Sequence, residues 1–110
     1  MKSEIQNKIL PGYFVAIKAA IKAGSEIMRI YEDGNFQIET KQDNSPVTLA
    51  DKSANIVINE FLKPTGIPII SEENVEAEFS ERKQWDYCWI VDPLDGTKEF
   101  IKKSGEFTVN

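Results

Sequence analysis

The run Tyr87-Cys88-Trp89-Ile90-Val91-Asp92-Pro93-Leu94-Asp95-Gly96-Thr97-Lys98-Glu99-Phe100-Ile101 constrains this chain more than any other stretch. Its first five residues are apolar, aromatic or β-branched and predict a short buried strand. Asp92 closes that strand, a proline follows directly, and a second carboxylate stands three residues on. Thr97 to Ile101 then predicts a short helix. On a straight strand, residues three apart point to opposite faces, and Asp92 and Asp95 would not meet. Pro93 forces a turn, which lets the two converge with the Leu94 carbonyl between them. Carboxylates this close repel and raise each other's pKa unless a cation sits between them. Donors that are all oxygen suit a hard divalent ion, Mg²⁺ first. Gly96 lets the backbone approach a ligand closely, and the Gly96 and Thr97 amides at a helix start make a small anion site. Acids bridging a cation beside a phosphate cradle predict metal-assisted hydrolysis of a phosphate ester.

The bland reading is a turn, since Asp-Gly is an ordinary turn signal. For an isolated Asp-x-x-Asp-Gly that reading wins. The longer string, with the acidic pair Glu72-Glu73 upstream, reverses the preference. Other metal and phosphate motifs fail on particular residues. A Ca²⁺ loop with Gly96 at its sixth position would begin at Val91 and end at Lys102, neither of which supplies a carboxylate. A phosphatase that phosphorylates its own aspartate wants acids two apart, and these are three apart. A cysteine phosphatase needs an arginine soon after its cysteine, and Cys88 has none. The chain contains no histidine, which removes phosphohistidine chemistry and a histidine base.

A net charge of −5 argues against general nucleic-acid or anionic-membrane binding. It leaves an anionic substrate open, because a bound cation would invert the field locally. The single cysteine reads as a buried thiol in a reducing compartment. No apolar run approaches the ~20 residues of a membrane span, and the polar Met1 to Asn7 lacks a signal-peptide core.

Upstream, Phe14, Ile17, Ile21, Gly24, Met28 and Tyr31 recur at three- and four-residue steps and predict a helix of about five turns with that stripe in the core. Pro11 stands near its start and Asp33-Gly34-Asn35 ends it. Ala16, Ala19, Ala20 and Ala23 keep the helix slim. Phe36 to Thr40 alternates as a strand, and Lys41 to Pro46 is a polar loop. Thr48 with Asp51 three residues on is a capping-box arrangement opening a second helix, whose buried face is Ala50, Ala54, Val57, Ile58 and Phe61. Pro64-Thr65-Gly66 stops it. Ile67 to Ser71 predicts a buried strand that delivers Glu72 and Glu73 at its end. Alternation along that strand sends only one of the two acids to the site. Asn74 to Trp85 is loop with some helix, and Phe107 to Asn110 alternates like a strand. The lysines Lys98, Lys102 and Lys103 read as surface residues.

These strings together resemble the Mg²⁺-dependent, lithium-sensitive inositol monophosphatase superfamily. Asp92-Pro93-Leu94-Asp95-Gly96-Thr97 matches its signature. The run from Asp92 to Asn110, with Lys41 to Asp51 and Ser71-Glu72-Glu73, is similar to its 3′(2′),5′-bisphosphate nucleotidase (CysQ) branch. The resemblance implies an α/β (α+β) fold, the N-terminal part of the layered αβαβα sugar-phosphatase architecture, with two helices on a largely antiparallel sheet. Complete members run to more than twice this length, so residues 1–110 are expected to be the N-terminal portion of one domain, its C-terminal half absent. That half would supply a further metal-binding aspartate and most of the base-recognising residues.

The same resemblance assigns roles. Glu72, Asp92 and the Leu94 carbonyl would hold one Mg²⁺, and Asp92 with Asp95 a second. Thr97, hydrogen-bonded to Asp51, would with Glu72 position and deprotonate the attacking water, making Asp51, Glu72 and Thr97 the catalytic set. Glu72, Leu94, Asp95, Gly96 and Thr97 would contact the substrate. Lys41 lies in a loop that closes over the site in relatives, near the phosphate or a weaker metal; a solvated lysine is an equal reading. The implied reaction is hydrolysis of the 3′-phosphate of adenosine 3′,5′-bisphosphate to AMP and phosphate, with 3′-phosphoadenylyl sulfate as a related substrate and a link to sulfur assimilation. The alternatives are an inositol or fructose bisphosphate phosphatase of the same superfamily, or an inactive metal- or nucleotide-binding fragment. The expected partners are a small nucleotide bisphosphate and a second copy of the chain, with no nucleic acid and no stable membrane span. The expected compartment is the cytoplasm or the inner face of its membrane.

Overall fold

Small residues decide how the two long helices meet. In a computed structural model, which describes the backbone of residues 2–110 and the side chains of residues 12–110, helix α1 runs from Lys2 to Asp33 and α2 from Leu49 to Leu62. They pack on each other through Ala19, Ala23, Ile27 and Ile30 of α1 and Ala50, Ala54, Ile58 and Leu62 of α2. Alanines at four-residue steps let the two backbones come close. The stripe expected in the core lies a little over a third of a turn around α1 at about 100° per residue. Its members Phe14, Ile17, Ile21 and Met28 are exposed, with Phe14 at 70%. That expectation is overturned: close approach, and not side-chain size, selected the buried face. Only Tyr31 of the stripe joins the core cluster. Helix α1 also begins earlier than expected and continues through Pro11.

The strands are short. β1 (Glu39–Thr40) pairs antiparallel with β2 (Pro46–Val47), and the Lys41–Ser45 turn joins them. The strand expected from Phe36 is confined to this pair, because Gln37 takes a positive φ of 49° and breaks the extended run. β3 (Ile69–Ser71) pairs parallel with β4 (Trp89–Val91), in the register Ile69↔Trp89 and Ser71↔Val91. Ile90, the middle residue of β4, is 78% exposed, so this strand is buried on one face only. Cys88 is half-buried. Helix α3 (Phe79–Arg82) interrupts the acidic loop, and α4 (Thr97–Ile101) follows β4.

The segment Glu106–Asn110 folds back on the residues after β4. Asp92 and Asn110 exchange both backbone hydrogen bonds (2.6 and 3.0 Å), as do Asp95 and Thr108 (2.8 and 3.0 Å). Phe107 thereby joins Tyr31, Phe36 and the fully buried Phe100 in an aromatic cluster with ring centroids 4.6 to 6.4 Å apart. That cluster pins α4 and the Asp92–Thr97 turn to the end of α1. No helix among the described residues is long and apolar enough to cross a membrane.

Candidate active site

Parallel pairing of β3 with β4 places the residues that follow both strands at one edge. The Glu72 amide extends the ladder by donating to the Val91 carbonyl (3.2 Å), so Glu72 and Asp92 leave adjacent strands side by side. The first turn of α2 enters from a third direction and brings Asp51. All seven residues expected at the site, Asp51, Glu72, Asp92, Leu94, Asp95, Gly96 and Thr97, line one cavity of about 350 Å³, and Lys41 and Glu73 line it with them.

Asp51 is 3% exposed and its carboxylate is saturated. Oδ2 accepts from the Thr48 amide and from Thr48 Oγ1, both at 2.7 Å, which completes the capping box. Oδ1 accepts from Thr97 Oγ1 at 2.8 Å. The two readings of Asp51 therefore coexist in geometry: one oxygen caps α2, and the other holds Thr97 across 46 residues of sequence. Thr97 Oγ1 also lies 3.3 Å from the Leu94 carbonyl.

The other side of the cavity is built differently. Burial pushes the Asp92 carboxyl above the usual aspartate range, and the charges of Asp95 and Glu72 push it further; the Leu94 amide works against them. Asp95 is exposed, and its Oδ2 accepts from Asn110 Nδ2 at 2.9 Å. Among the described residues, no three acidic groups are drawn tightly enough together to enclose a cation. The donor chemistry nevertheless fits a hard divalent ion: carboxylate and carbonyl oxygens from two strand ends and one turn, facing one cavity and repelling each other.

Gly96 is required by the fold itself. Its φ is +95°, and a Cβ there would stand 2.7 Å from the Glu106 carbonyl oxygen. The backbone that approaches closely is the returning 106–110 segment. Both acids of the Glu72-Glu73 pair reach the cavity, contrary to the alternation argument. β3 has already ended at Ser71, and the Asn74 amide donates back to the Ser71 carbonyl (3.1 Å), so the pair sits in a turn. Glu73 binds Lys41 Nζ at 2.5 Å. Burial lowers the Lys41 pKa, but the bond to Glu73 and the charges of Glu73, Asp51 and Glu72 outweigh it, leaving the ammonium above its ordinary value.

Behind the pair lies a network that sequence reasoning missed. Ser71 Oγ donates to Asn55 Oδ1 (2.6 Å), Asn55 Nδ2 to Asn74 Oδ1 (2.8 Å), and Asn74 Nδ2 to Asn59 Oδ1 (3.0 Å). The signal was faint: Asn55 and Asn59 are one helical turn apart and share a side of α2 away from the apolar stripe, and Asn59 is nevertheless buried, where an amide needs polar partners.

Residues 9–110 match the Inositol monophosphatase family. The 3′(2′),5′-bisphosphate nucleotidase CysQ of Salmonella typhimurium is 50% identical over 94 residues, covering 83% of this chain and 38% of that protein. The Escherichia coli K12 protein of the same name is 47% identical over the same shares. The crystal structure of CysQ from Bacteroides thetaiotaomicron superposes with a TM-score of 0.77 at 50% identity, over 91% of this chain and 36% of that one. The extragenic suppressor protein suhB of Bartonella henselae gives 0.78 at 30% identity, over 90% and 38%. The chain thus spans little more than a third of the length of the relatives it matches. The mixed helix and strand architecture with short sheets is that of these neighbours. With its signature turn folded around an acidic cavity and its sequence matched almost from end to end, the chain belongs to the inositol monophosphatase family.

Proposed function

We propose that this chain carries the water-activating and metal-holding part of a phosphomonoesterase acting on the 3′-phosphate of adenosine 3′,5′-bisphosphate and releasing AMP and phosphate. The observation that carries the reading is the Thr97 Oγ1–Asp51 Oδ1 bond of 2.8 Å on the wall of a cavity that Glu72, Glu73, Asp92 and Asp95 also line. A threonine hydroxyl whose proton is committed to a buried carboxylate has its lone pairs free to accept a hydrogen bond from water and so orient it. The nucleotide as substrate is supported by the names of the CysQ relatives and by the match over most of this chain.

Glu72, Asp92 and the Leu94 carbonyl would hold one Mg²⁺, and Asp92 with Asp95 a second. A metal held there would polarise the phosphoryl group and acidify water. Thr97 and Glu72 would orient the water, and Glu72 would take its proton as the water oxygen bonds to phosphorus; the ester P–O bond breaks and the ribose 3′-oxygen leaves, taking a proton from solvent. Asp51 does not touch the water; it fixes the Thr97 hydroxyl. Gly96 and Thr97 line the same cavity, and their amides would stabilise charge on the phosphoryl oxygens.

The test is phosphate release by the intact protein from adenosine 3′,5′-bisphosphate, set against inositol monophosphate at equal concentration and with Mg²⁺ present. Faster turnover of the nucleotide is expected. Preference for the inositol ester would move the assignment to another substrate of the superfamily, and no release from either would reduce this chain to a binding module.

A further inference from the structure

The acidic cavity carries its own cation. Lys41 stands at its mouth, and its ammonium is bound by Glu73 at 2.5 Å. This pair is sheltered, with side chains 29% and 12% exposed, whereas the Lys52–Glu39 pair on the open surface is 48% and 62% exposed. Exposed pairs of the second kind contribute little. The sheltered one occupies a junction: Lys41, Glu72 and Glu73 line both the 350 Å³ cavity and a neighbouring one of about 770 Å³, so the ion pair is part of the wall between them.

The two ends of the pair differ in how they are anchored. Glu73 belongs to the turn after β3, which the Ser71–Asn55–Asn74–Asn59 network bolts to α2. Lys41 belongs to the Lys41–Ser45 turn, which is ordered within itself. The Lys41 amide donates to the Ser45 carbonyl (2.8 Å), the Asn44 amide to the Lys41 carbonyl (3.0 Å), and the Ser45 amide to Asp43 Oδ1 (3.0 Å). Among the described side-chain hydrogen bonds, Lys41–Glu73 is the one that crosses from this turn to the β3 tip.

We propose that Glu73 is a positioning residue whose ion pair pins the Lys41–Ser45 turn over the acidic cavity and keeps the Lys41 ammonium at the rim, out of the space that Glu72 and Asp92 offer to a cation. Besides Glu73, the charges of Asp51, Glu72 and Asp43 act on Lys41, and Asp51 and Glu72 line the acidic cavity. A lysine tethered beside a cation site is present at high effective concentration. Released from Glu73, it turns inward and competes with the metal. The competition arm rests on the functional reading above; the pinning arm does not.

The test is a double-mutant cycle of Glu73→Gln, Lys41→Gln and both together, in the intact protein, with two readouts. In chelator, hydrogen exchange at the Asn44 amide rises about fivefold in either single variant and no further in the double, while exchange in α2 stays unchanged. Unchanged exchange at Asn44, or a rise spread equally over α2, overturns the pinning arm. By calorimetry with Mg²⁺ alone, Glu73→Gln weakens binding about tenfold and the double variant recovers to within about twofold of the parent, because the competing lysine has gone with its partner. A double variant as weak as Glu73→Gln overturns the competition arm. A parent protein that binds no Mg²⁺ rejects the metal reading and that arm with it, while the exchange cycle still decides the pinning.

Discussion

The two sides of the cavity are put together on opposite principles. On one side Asp51 is buried, accepts three hydrogen bonds from Thr48 and Thr97, and closes the N-terminus of α2. On the other, Glu72, Asp92 and Asp95 crowd like charges around open space, and the Asp92 carboxyl rises above its usual range for that reason. The first arrangement is complete in the polypeptide alone, because every charge in it has a protein partner. Among the described residues, the second has no positive partner in the cavity lining apart from Lys41 and Lys98. A fold can carry the first as structure; it can carry the second only as a site for a ligand of opposite sign.

The sharpest way to break this division is to neutralise one acid on the crowded side. Asp92→Asn in the intact protein is expected to remove Mg²⁺ binding and to lower phosphate release by at least about 100-fold, since the metal supplies several kcal/mol of transition-state stabilisation. Circular dichroism should show the fold retained. Turnover equal to the parent's would refute the assignment of the crowded side.

Thr97→Ala probes the saturated side. It removes a hydroxyl held by Asp51 and no cation ligand, so kcat is expected to fall about 100-fold while calorimetric Mg²⁺ affinity stays within about twofold. Thr97→Ser should recover most of the rate, because the hydroxyl and its bond to Asp51 survive. Loss of metal binding in Thr97→Ala would mean that the two sides are one unit and the division is false.

Thr48→Ala tests whether the saturated side is structural. The cap hydroxyl is fully buried and both donates to Asp51 and accepts from the Ala50 amide (3.1 Å). Its removal is expected to destabilise the protein by about 1–2 kcal/mol in urea unfolding. A cost near zero would make the capping box ornamental.

How far all this was legible in the sequence follows the same division. The capping box, the Asp92–Asp95 turn and the second helix could be read because each depends on local spacing: three residues from cap to acid, one proline after a strand. That Asp51 and Glu72 gather with that turn was implied by the family resemblance, not by spacing. The wrong face of α1 could not be caught that way. Phe14, Ile17, Ile21 and Met28 have the better apolar periodicity, yet Ala19 and Ala23 are buried, because the partner helix presents Ala50 and Ala54 and the contact is set by how closely two backbones approach. The strand rule that admits only one of Glu72 and Glu73 to the site does not apply to them, because β3 ends at Ser71. Gly96 was recognised, but its neighbour, the Glu106 carbonyl, comes from a segment whose return path no local pattern announces. The role of the Asn55, Asn59 and Asn74 amides rests on the same kind of non-local meeting.

The smallest expected effect isolates the crowding itself. In the unfolded chain the Asp92 carboxyl ionises near its ordinary value of about 4. In the folded chain burial and the charges of Asp95 and Glu72 raise that value. The native state therefore holds a proton that the unfolded state has already lost, and the resulting stabilisation is full at low pH and disappears as pH rises through the native value. At neutral pH the ionised carboxylate is a net cost to the fold. Asparagine carries no such charge, so in chelator at pH 7 Asp92→Asn is expected to melt higher than the parent, by only about a degree or two because the side chain is partly open to water. The gap should close as pH is lowered towards 4. Adding Mg²⁺ should reverse the order, since the ion stabilises only the chain that binds it. A variant that melts below the parent in chelator at pH 7 would show that Asp92 is held by favourable contacts within the protein, and the contrast between the two sides would collapse.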